Sequence, residues 1–145
     1  MHFSGSAEFA ADRNRVWGYL IDPTRLGPCS PIPVQRVDDT HFRATTKVGS
    51  GFFATNVVAN LEVTNVVEGQ SATIAGGGGA MGTTVQATST FSLRDGEIPG
   101  ETIVDWTLDL DPRGGFASAI NNVIQQRGQE AVDQLLDCLR RQIGG

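Results

Sequence analysis

The sequence predicts one α+β domain, residues 1–145, in which a curved antiparallel sheet of about seven strands wraps around a long C-terminal helix. Three observations predict it. Apolar and polar residues alternate over most of residues 34–110, as they do in half-buried strands. Short turn sequences such as Asp95-Gly96 and Pro99-Gly100 separate these stretches, which is typical of hairpins. From Gly115 the apolar period becomes helical.

The first thirty residues predict a strand followed by two short helices. Phe3, Gly5, Ala7 and Phe9 alternate with polar neighbours, and Asp12 stands where an N-cap residue would. An apolar helical pattern follows and ends at Asp22-Pro23, because the residue before proline avoids the α region. Thr24 is then the expected cap of a second short helical turn that runs through Leu26.

Six further strands are predicted before the last helix, and their order makes an antiparallel meander. Their expected bounds are 34–37, 41–48, 52–67, 71–75, 83–93 and 102–110. The last helix is amphipathic and cannot bury its apolar face alone, so we expect it to lie across the concave face of the sheet. That face carries Phe116, Ile120, Val123, Ile124, Ala131, Leu135 and Leu139.

Charge and cysteine content exclude several classes of function. The net charge of −5, with scattered basic residues, argues against nucleic acid and against an anionic membrane as an electrostatic partner. Cys29 and Cys138 lie far apart without CxxC spacing, so we expect two reduced, packed thiols in a cytoplasmic protein, and a disulfide between them is the alternative. No apolar stretch is long enough to span a bilayer, which leaves at most peripheral contact with the inner face of the membrane.

The glycine-rich run from Gly76 to Gly82 contains a formal GxGxxG pattern, but it does not indicate a nucleotide site. That fingerprint requires a following helix, whereas the residues after Gly82 alternate like a strand. We expect the glycines to allow a bend, a bulge or the close approach of a neighbouring strand. A flexible lip at a pocket mouth is the alternative.

No catalytic or metal-binding constellation is apparent. His2 and His41 are the only histidines, and neither belongs to a set with metal-ligand spacing or has reason to meet a serine or cysteine nucleophile. Asp105, Asp109 and Asp111 alternate on the predicted outward side of their strand, so they are expected to face water. The sequence thus predicts no metal, no cofactor and no catalytic residue.

Residues of the inward parity predict a hollow interior that binds an apolar ligand. Small residues such as Ala59, Ala87 and Ser89 share that parity and would leave space that one helix does not fill. Asn121 and Gln125 lie within or beside the apolar face of the last helix, where they could orient a ligand. A solid core remains the alternative. The candidate ligand-binding residues are Phe42, Phe53, Val57, Ile74, Phe91, Trp106, Phe116, Ile120, Asn121 and Ile124.

Several segments in order resemble the CoxG-like family, named for the G component of carbon monoxide dehydrogenase, within the START/Bet v 1-like (SRPBCC) helix-grip superfamily. They are Val16-Trp17, Asp22-Pro23, Val48-Gly49, the run from Gly76, the segment from Thr102 to Trp106, and Gly114-Gly115-Phe116-Ala117. The resemblance covers nearly the whole chain. It implies a helix-grip fold and a non-enzymatic accessory role beside a molybdenum hydroxylase such as carbon monoxide dehydrogenase.

The resemblance also implies a hydrophobic ligand, namely a lipid, a fatty acid or a quinone. Two other hypotheses remain open on the same fold. One is an enzyme of the polyketide cyclase or hydrolase kind, which would need an acid or base that points inward. The other is a protein-recruitment module with a filled core.

Overall fold

The computed structural model describes residues 1–29, 33–48, 55–80 and 82–144, and it has the predicted order of elements. Within these ranges, seven strands, two α-helices and one 3₁₀ helix follow one another along the chain. Their bounds are β1 His2–Phe9, α1 Arg13–Leu20, the 3₁₀ helix Pro23–Cys29, β2 Val34–Arg36, β3 His41–Val48, β4 Thr55–Val67, β5 Ser71–Ala80, β6 Thr83–Asp95, β7 Thr102–Gly114 and α2 Ala117–Ile143.

The N-terminal block folds largely as its sequence predicts. Asp12 is the N-cap of α1, and its carboxylate accepts a hydrogen bond from the backbone N–H of Arg15 at 2.8 Å. Val16 and Trp17 are buried. The expectation for Thr24 is wrong in one respect, because the capping side chain is Asp22. Its carboxylate accepts hydrogen bonds from the backbone N–H and the hydroxyl of Thr24, and so satisfies groups at the start of the 3₁₀ helix.

The strands form one antiparallel sheet in the order β1-β7-β6-β5-β4-β3-β2. Among these seven strands, only the pairing of β1 with β7 joins strands that are not neighbours in the chain, so β2 to β7 form the predicted meander. The register places residues of the predicted inward parity side by side: Leu61 opposite Gly76, Gly76 opposite Ala87, and Phe91 opposite Trp106. These side chains share the face on which α2 lies.

The glycine-rich run is part of strand β5, which extends to Ala80 instead of ending at residue 75. A Cβ atom at Gly78 would lie 2.5 Å from the carbonyl oxygen of Val58, so the neighbouring strand approaches too closely for a side chain. Gly82 has a φ of +77° in the turn that leads to β6. Close strand approach is therefore the role of these glycines, and strand β6 follows where a nucleotide-binding helix would begin.

Helix α2 is anchored mainly by its C-terminal half. Leu139 and Ile143 are buried with Phe9, Val16 and Trp17. In contrast, Phe116 is 54% exposed and Val123 is 59% exposed, so the prediction that both pack on the sheet is wrong. At Gly128 the helix lies close to β1, since an added Cβ would lie 2.7 Å from the Phe3 ring.

Cys29 and Cys138 form a disulfide, which corrects the prediction of two reduced thiols. Their Cα atoms lie 5.6 Å apart although 109 residues separate them in the sequence. The fold places the end of the 3₁₀ helix against α2, and nothing in the cysteine spacing indicates this contact. The bond joins these two helical segments covalently.

Candidate functional site: two apolar cavities under the last helix

A cavity of about 430 Å³, here called the outer cavity, lies between the sheet and the first turns of α2. Its walls are strands β4, β5 and β6, and Phe116 and Ile120 lie on its helix side. Almost all of the lining is aliphatic, aromatic or glycine. The lining residues are Val57, Ala59, Leu61, Gly76, Gly77, Gly78, Gly79, Thr83, Val85, Ala87, Phe116 and Ile120.

A second cavity of about 280 Å³, here called the inner cavity, lies under the C-terminal half of α2. The short helices contribute Leu20 and Leu26 to its wall. The remaining lining comes from the sheet and from α2. It consists of Phe9, Ile74, Ser89, Phe91, Val104, Trp106, Leu108, Val132, Leu135, Leu136 and Leu139.

The two cavities lie end to end along strands β5 and β6. Gly76 and Ala87 line the outer cavity, and the next inward residues on the same strands, Ile74 and Ser89, line the inner cavity. Consecutive inward residues on a strand are about 7 Å apart. The linings of the two cavities therefore adjoin along these strands.

Small inward residues create the outer cavity. Ala59, Gly76, Gly78 and Ala87 occupy neighbouring positions on three paired strands. Larger side chains at Ala59 or Ala87 would fill the space, since native cores pack to a density that leaves few voids. Ala44 and Ala72 have the same parity and are buried. Neither belongs to the described lining of a cavity.

The structure distributes the predicted ligand-binding residues over three environments. Val57, Phe116 and Ile120 line the outer cavity, whereas Ile74, Phe91 and Trp106 line the inner cavity. Phe42 is buried in the core beyond both cavities.

The other polar and apolar candidates on α2 are placed differently. Asn121 and Ile124 are half-buried and belong to neither lining, and Gln125 is exposed. Phe53 lies outside the described residues.

Sequence reasoning missed the contribution of the short helices and of Thr83. Leu20 and Leu26 line the inner cavity. The helical spacing of Leu20 from Trp17 was an available signal, whereas Leu26 lies in the separate 3₁₀ helix. Thr83 is 5% exposed and lines the outer cavity. Its hydroxyl oxygen accepts a hydrogen bond from the backbone N–H of Phe116 at 2.9 Å, which fixes the entry to α2.

Polar groups in the cavity walls are few, and the described lining residues include no ionisable side chain. Besides Thr83 in the outer cavity, the inner cavity has Ser89, whose hydroxyl donates to the carbonyl oxygen of Thr107 at 3.0 Å. Within the described part of the chain, the indole N–H of Trp106 is buried without a hydrogen-bond partner. The indole nitrogen lies close to Gly5 of β1, where an added Cβ would be 3.3 Å from it.

Two titratable groups with shifted pKa values, Asp105 and His41, lie outside both cavities. A hydrogen bond from Arg94, joined by one from Ser6, lowers the pKa of Asp105. On the β2–β3 turn, hydrogen bonding to Asp38 raises the pKa of His41. Asp109 and Asp111 are exposed, as their parity predicts. None of these side chains belongs to the described lining of either cavity, so none is placed to act on a molecule inside.

The described residues offer neither a metal site nor a membrane-spanning helix. They contain no cluster of three or more His, Cys, Asp or Glu side chains that could hold a metal ion. Among the helices of that same part of the chain, none combines the length and the apolar character needed to cross a bilayer.

Residues 5–144 match the family model of CoxG, the G component of carbon monoxide dehydrogenase. The chain belongs to this family. CoxG proteins form a family of accessory subunits and not of catalytic ones. No curated protein matches the sequence.

Solved structures with a similar fold support the family's START-like architecture. A conserved protein from Geobacillus kaustophilus superposes with a TM-score of 0.80 at 18% identity, over 99% of this chain and 95% of that one. A START superfamily protein from Mycobacterium smegmatis superposes with a TM-score of 0.66 at 16% identity, over 98% and 96% of the two chains. At these identities the likeness establishes the fold alone.

Proposed function

We propose that this protein holds an apolar small molecule, a lipid or a quinone, in the two cavities and serves a molybdenum hydroxylase of the carbon monoxide dehydrogenase type. The observation that carries the proposal is the pair of apolar cavities aligned under α2. Cavities of a few hundred Å³ with mostly apolar walls and few polar groups are typical of small-molecule sites. The family membership supports the accessory role.

The energetics permit such binding. Burial of roughly 400 Å² of apolar ligand surface at about 25 cal/mol per Å² contributes about 10 kcal/mol, against an association cost of about 4–15 kcal/mol. A neutral ligand suits the walls better than the anion of a fatty acid. A buried carboxylate would have no cationic partner among the described lining residues, and an unpaired buried charge is strongly unfavourable.

The outer cavity is the proposed entrance. Phe116 lines this cavity and is itself 54% exposed, so the wall reaches the surface at the start of α2. A ligand that enters here would direct its apolar end along β5 and β6 towards the inner cavity. Its polar end would stay near Thr83. We place this exchange in the cytoplasm, with at most peripheral contact with the inner face of the membrane.

A matched pair of charge substitutions on α2 tests the proposal. Ile120→Asp places a carboxylate in the outer cavity, whereas Val123→Asp places it on the exposed side of the same helix. The probe is the neutral fluorophore N-phenyl-1-naphthylamine, followed by short-chain quinones as competitors.

We expect Ile120→Asp to weaken binding by at least about tenfold, which corresponds to about 1.4 kcal/mol, and Val123→Asp to leave it unchanged. Equal binding by both folded variants would contradict the site. If no apolar molecule binds the parent protein and a hydroxylase still copurifies with it, recruitment through the surface is the better explanation.

A further inference from the structure

The disulfide Cys29–Cys138 lies beside the wall of the inner cavity. Cys29 is the last residue of the 3₁₀ helix, which contributes Leu26 to the cavity wall. Cys138 belongs to the part of α2 that contributes Leu135 and Leu139. The bond therefore joins the two segments that contribute these leucines to the wall.

The spacing of the residues places the bond directly beside those leucines. In a 3₁₀ helix, residues three apart lie above one another, so Cys29 shares a face with Leu26. In an α-helix, residues three apart are neighbours on one face, so Cys138 shares a face with Leu135. The disulfide and the pair Leu26 and Leu135 therefore occupy the same contact between the 3₁₀ helix and α2.

Other contacts hold the end of α2 without the disulfide. Ile143 is buried, and its carbonyl oxygen accepts a hydrogen bond from the Arg15 guanidinium at 2.5 Å. Arg140 donates to the carbonyl oxygen of Glu8 at 3.2 Å. Without the covalent bond, the helix end can stay in place while the leucine contact beside the cysteines opens locally.

We infer that this disulfide controls ligand exchange: in the oxidised protein a rigid inner cavity holds the apolar end of the bound molecule, and reduction loosens that wall, so that the molecule leaves faster through the outer cavity. The inference rests on the proposed function. The reductant would be a protein dithiol. One of its thiolates attacks a sulfur of the disulfide to form a mixed disulfide, and its second thiol then displaces the remaining cysteine. The donor becomes a disulfide, and Cys29 and Cys138 each gain one electron and one proton. Both cysteines are half-buried, which leaves part of each residue at the surface.

Release of N-phenyl-1-naphthylamine into phosphatidylcholine vesicles measures this control. The oxidised protein is loaded with the probe, and release is followed by stopped flow with and without tris(2-carboxyethyl)phosphine. We expect reduction to accelerate release by at least about tenfold, because local opening of the wall becomes easier. The double variant Cys29→Ala/Cys138→Ala should release the probe at the faster rate in both conditions. Equal release rates for the oxidised, reduced and double-variant proteins would overturn the inference.

Hydrogen exchange gives a second readout that needs no ligand. Reduction should increase amide exchange in residues 23–29 and 132–139, while the β6–β7 hairpin keeps its protection. Unchanged exchange in both helical segments would overturn the inference even if the probe binds. If no form of the protein binds the probe, the proposed function fails. Hydrogen exchange alone then decides whether the disulfide restrains the cavity wall.

Discussion

Ala87→Leu is the substitution whose effect on stability depends most directly on whether the outer cavity is empty. Ala87 points into this cavity from β6, and its partner on β5 is Gly76, which has no side chain. The three added carbon atoms of leucine could extend over Gly76 into a space of about 430 Å³. Each methylene buried in such a space contributes about 0.8 kcal/mol, so the apo protein should gain up to about 2 kcal/mol of unfolding free energy.

A filled core predicts the opposite sign. Extra carbons forced into a well-packed interior typically cost about 1–3 kcal/mol. Urea unfolding followed by circular dichroism distinguishes the two cases, provided that the denaturant dependence is the same for both proteins. Thr88→Leu introduces the same side chain at the next position, on the exposed face of β6, and serves as the control.

Ligand binding should change in the opposite direction to stability. The leucine occupies space that a ligand needs, so Ala87→Leu should bind N-phenyl-1-naphthylamine more weakly than the parent protein does. The cavity reasoning would be refuted if Ala87→Leu lowered the unfolding free energy by about 1 kcal/mol or more while Thr88→Leu left it unchanged.

Three further predictions concern the disulfide, the glycine-rich strand and a surface histidine. Reduction of the Cys29–Cys138 disulfide should lower the unfolding free energy by about 4–5 kcal/mol, because the bond closes a loop of about one hundred residues and so restricts the unfolded chain. A loss below about 1 kcal/mol in urea unfolding would contradict this expectation. Gly76→Ala should cost at least about 1–3 kcal/mol because its Cβ would collide with the carbonyl oxygen of Asn60. Gly77→Ala should cost less, because the three atoms nearest to its Cβ all belong to the flexible Gln86 side chain. Equal losses of stability in thermal unfolding would show that the strands do not approach as described. The pKa of His41 measured by NMR should lie above the usual 6.5, because Asp38 stabilises the protonated imidazole, and Asp38→Asn should lower that pKa. A pKa that is raised in the folded state stabilises the fold at low pH. This contribution is lost as the pH rises through the folded-state pKa.

The order of the elements could be predicted from the sequence because each is determined by local chemistry. Asp12 caps α1 as its position before an apolar helical pattern predicts. Alternation placed Val57, Ile74 and Trp106 on the concave face, because side chains in a strand alternate between two faces whatever the tertiary context. The same rule placed Asp105 and Asp109 on the outer face.

Long-range geometry could not be predicted in the same way. The disulfide depends on where α2 crosses the 3₁₀ helix, and no pattern in either segment specifies that crossing. Val123 belongs to the broad apolar face that the helical period predicts, but Ile120 lines the outer cavity whereas Val123 is exposed. The covered face of α2 is therefore narrower there than the apolar pattern indicates. Parity likewise cannot distinguish Phe42, which is buried in the core, from Phe91, which lines a cavity.

Native mass spectrometry of the purified protein, followed by organic extraction, tests the central claim most directly. The proposed function predicts a stoichiometric neutral apolar molecule that copurifies with the parent protein and is lost from Ile120→Asp. A clean apo mass for the parent, with no gain in thermal stability when quinones and lipids are added, would contradict it.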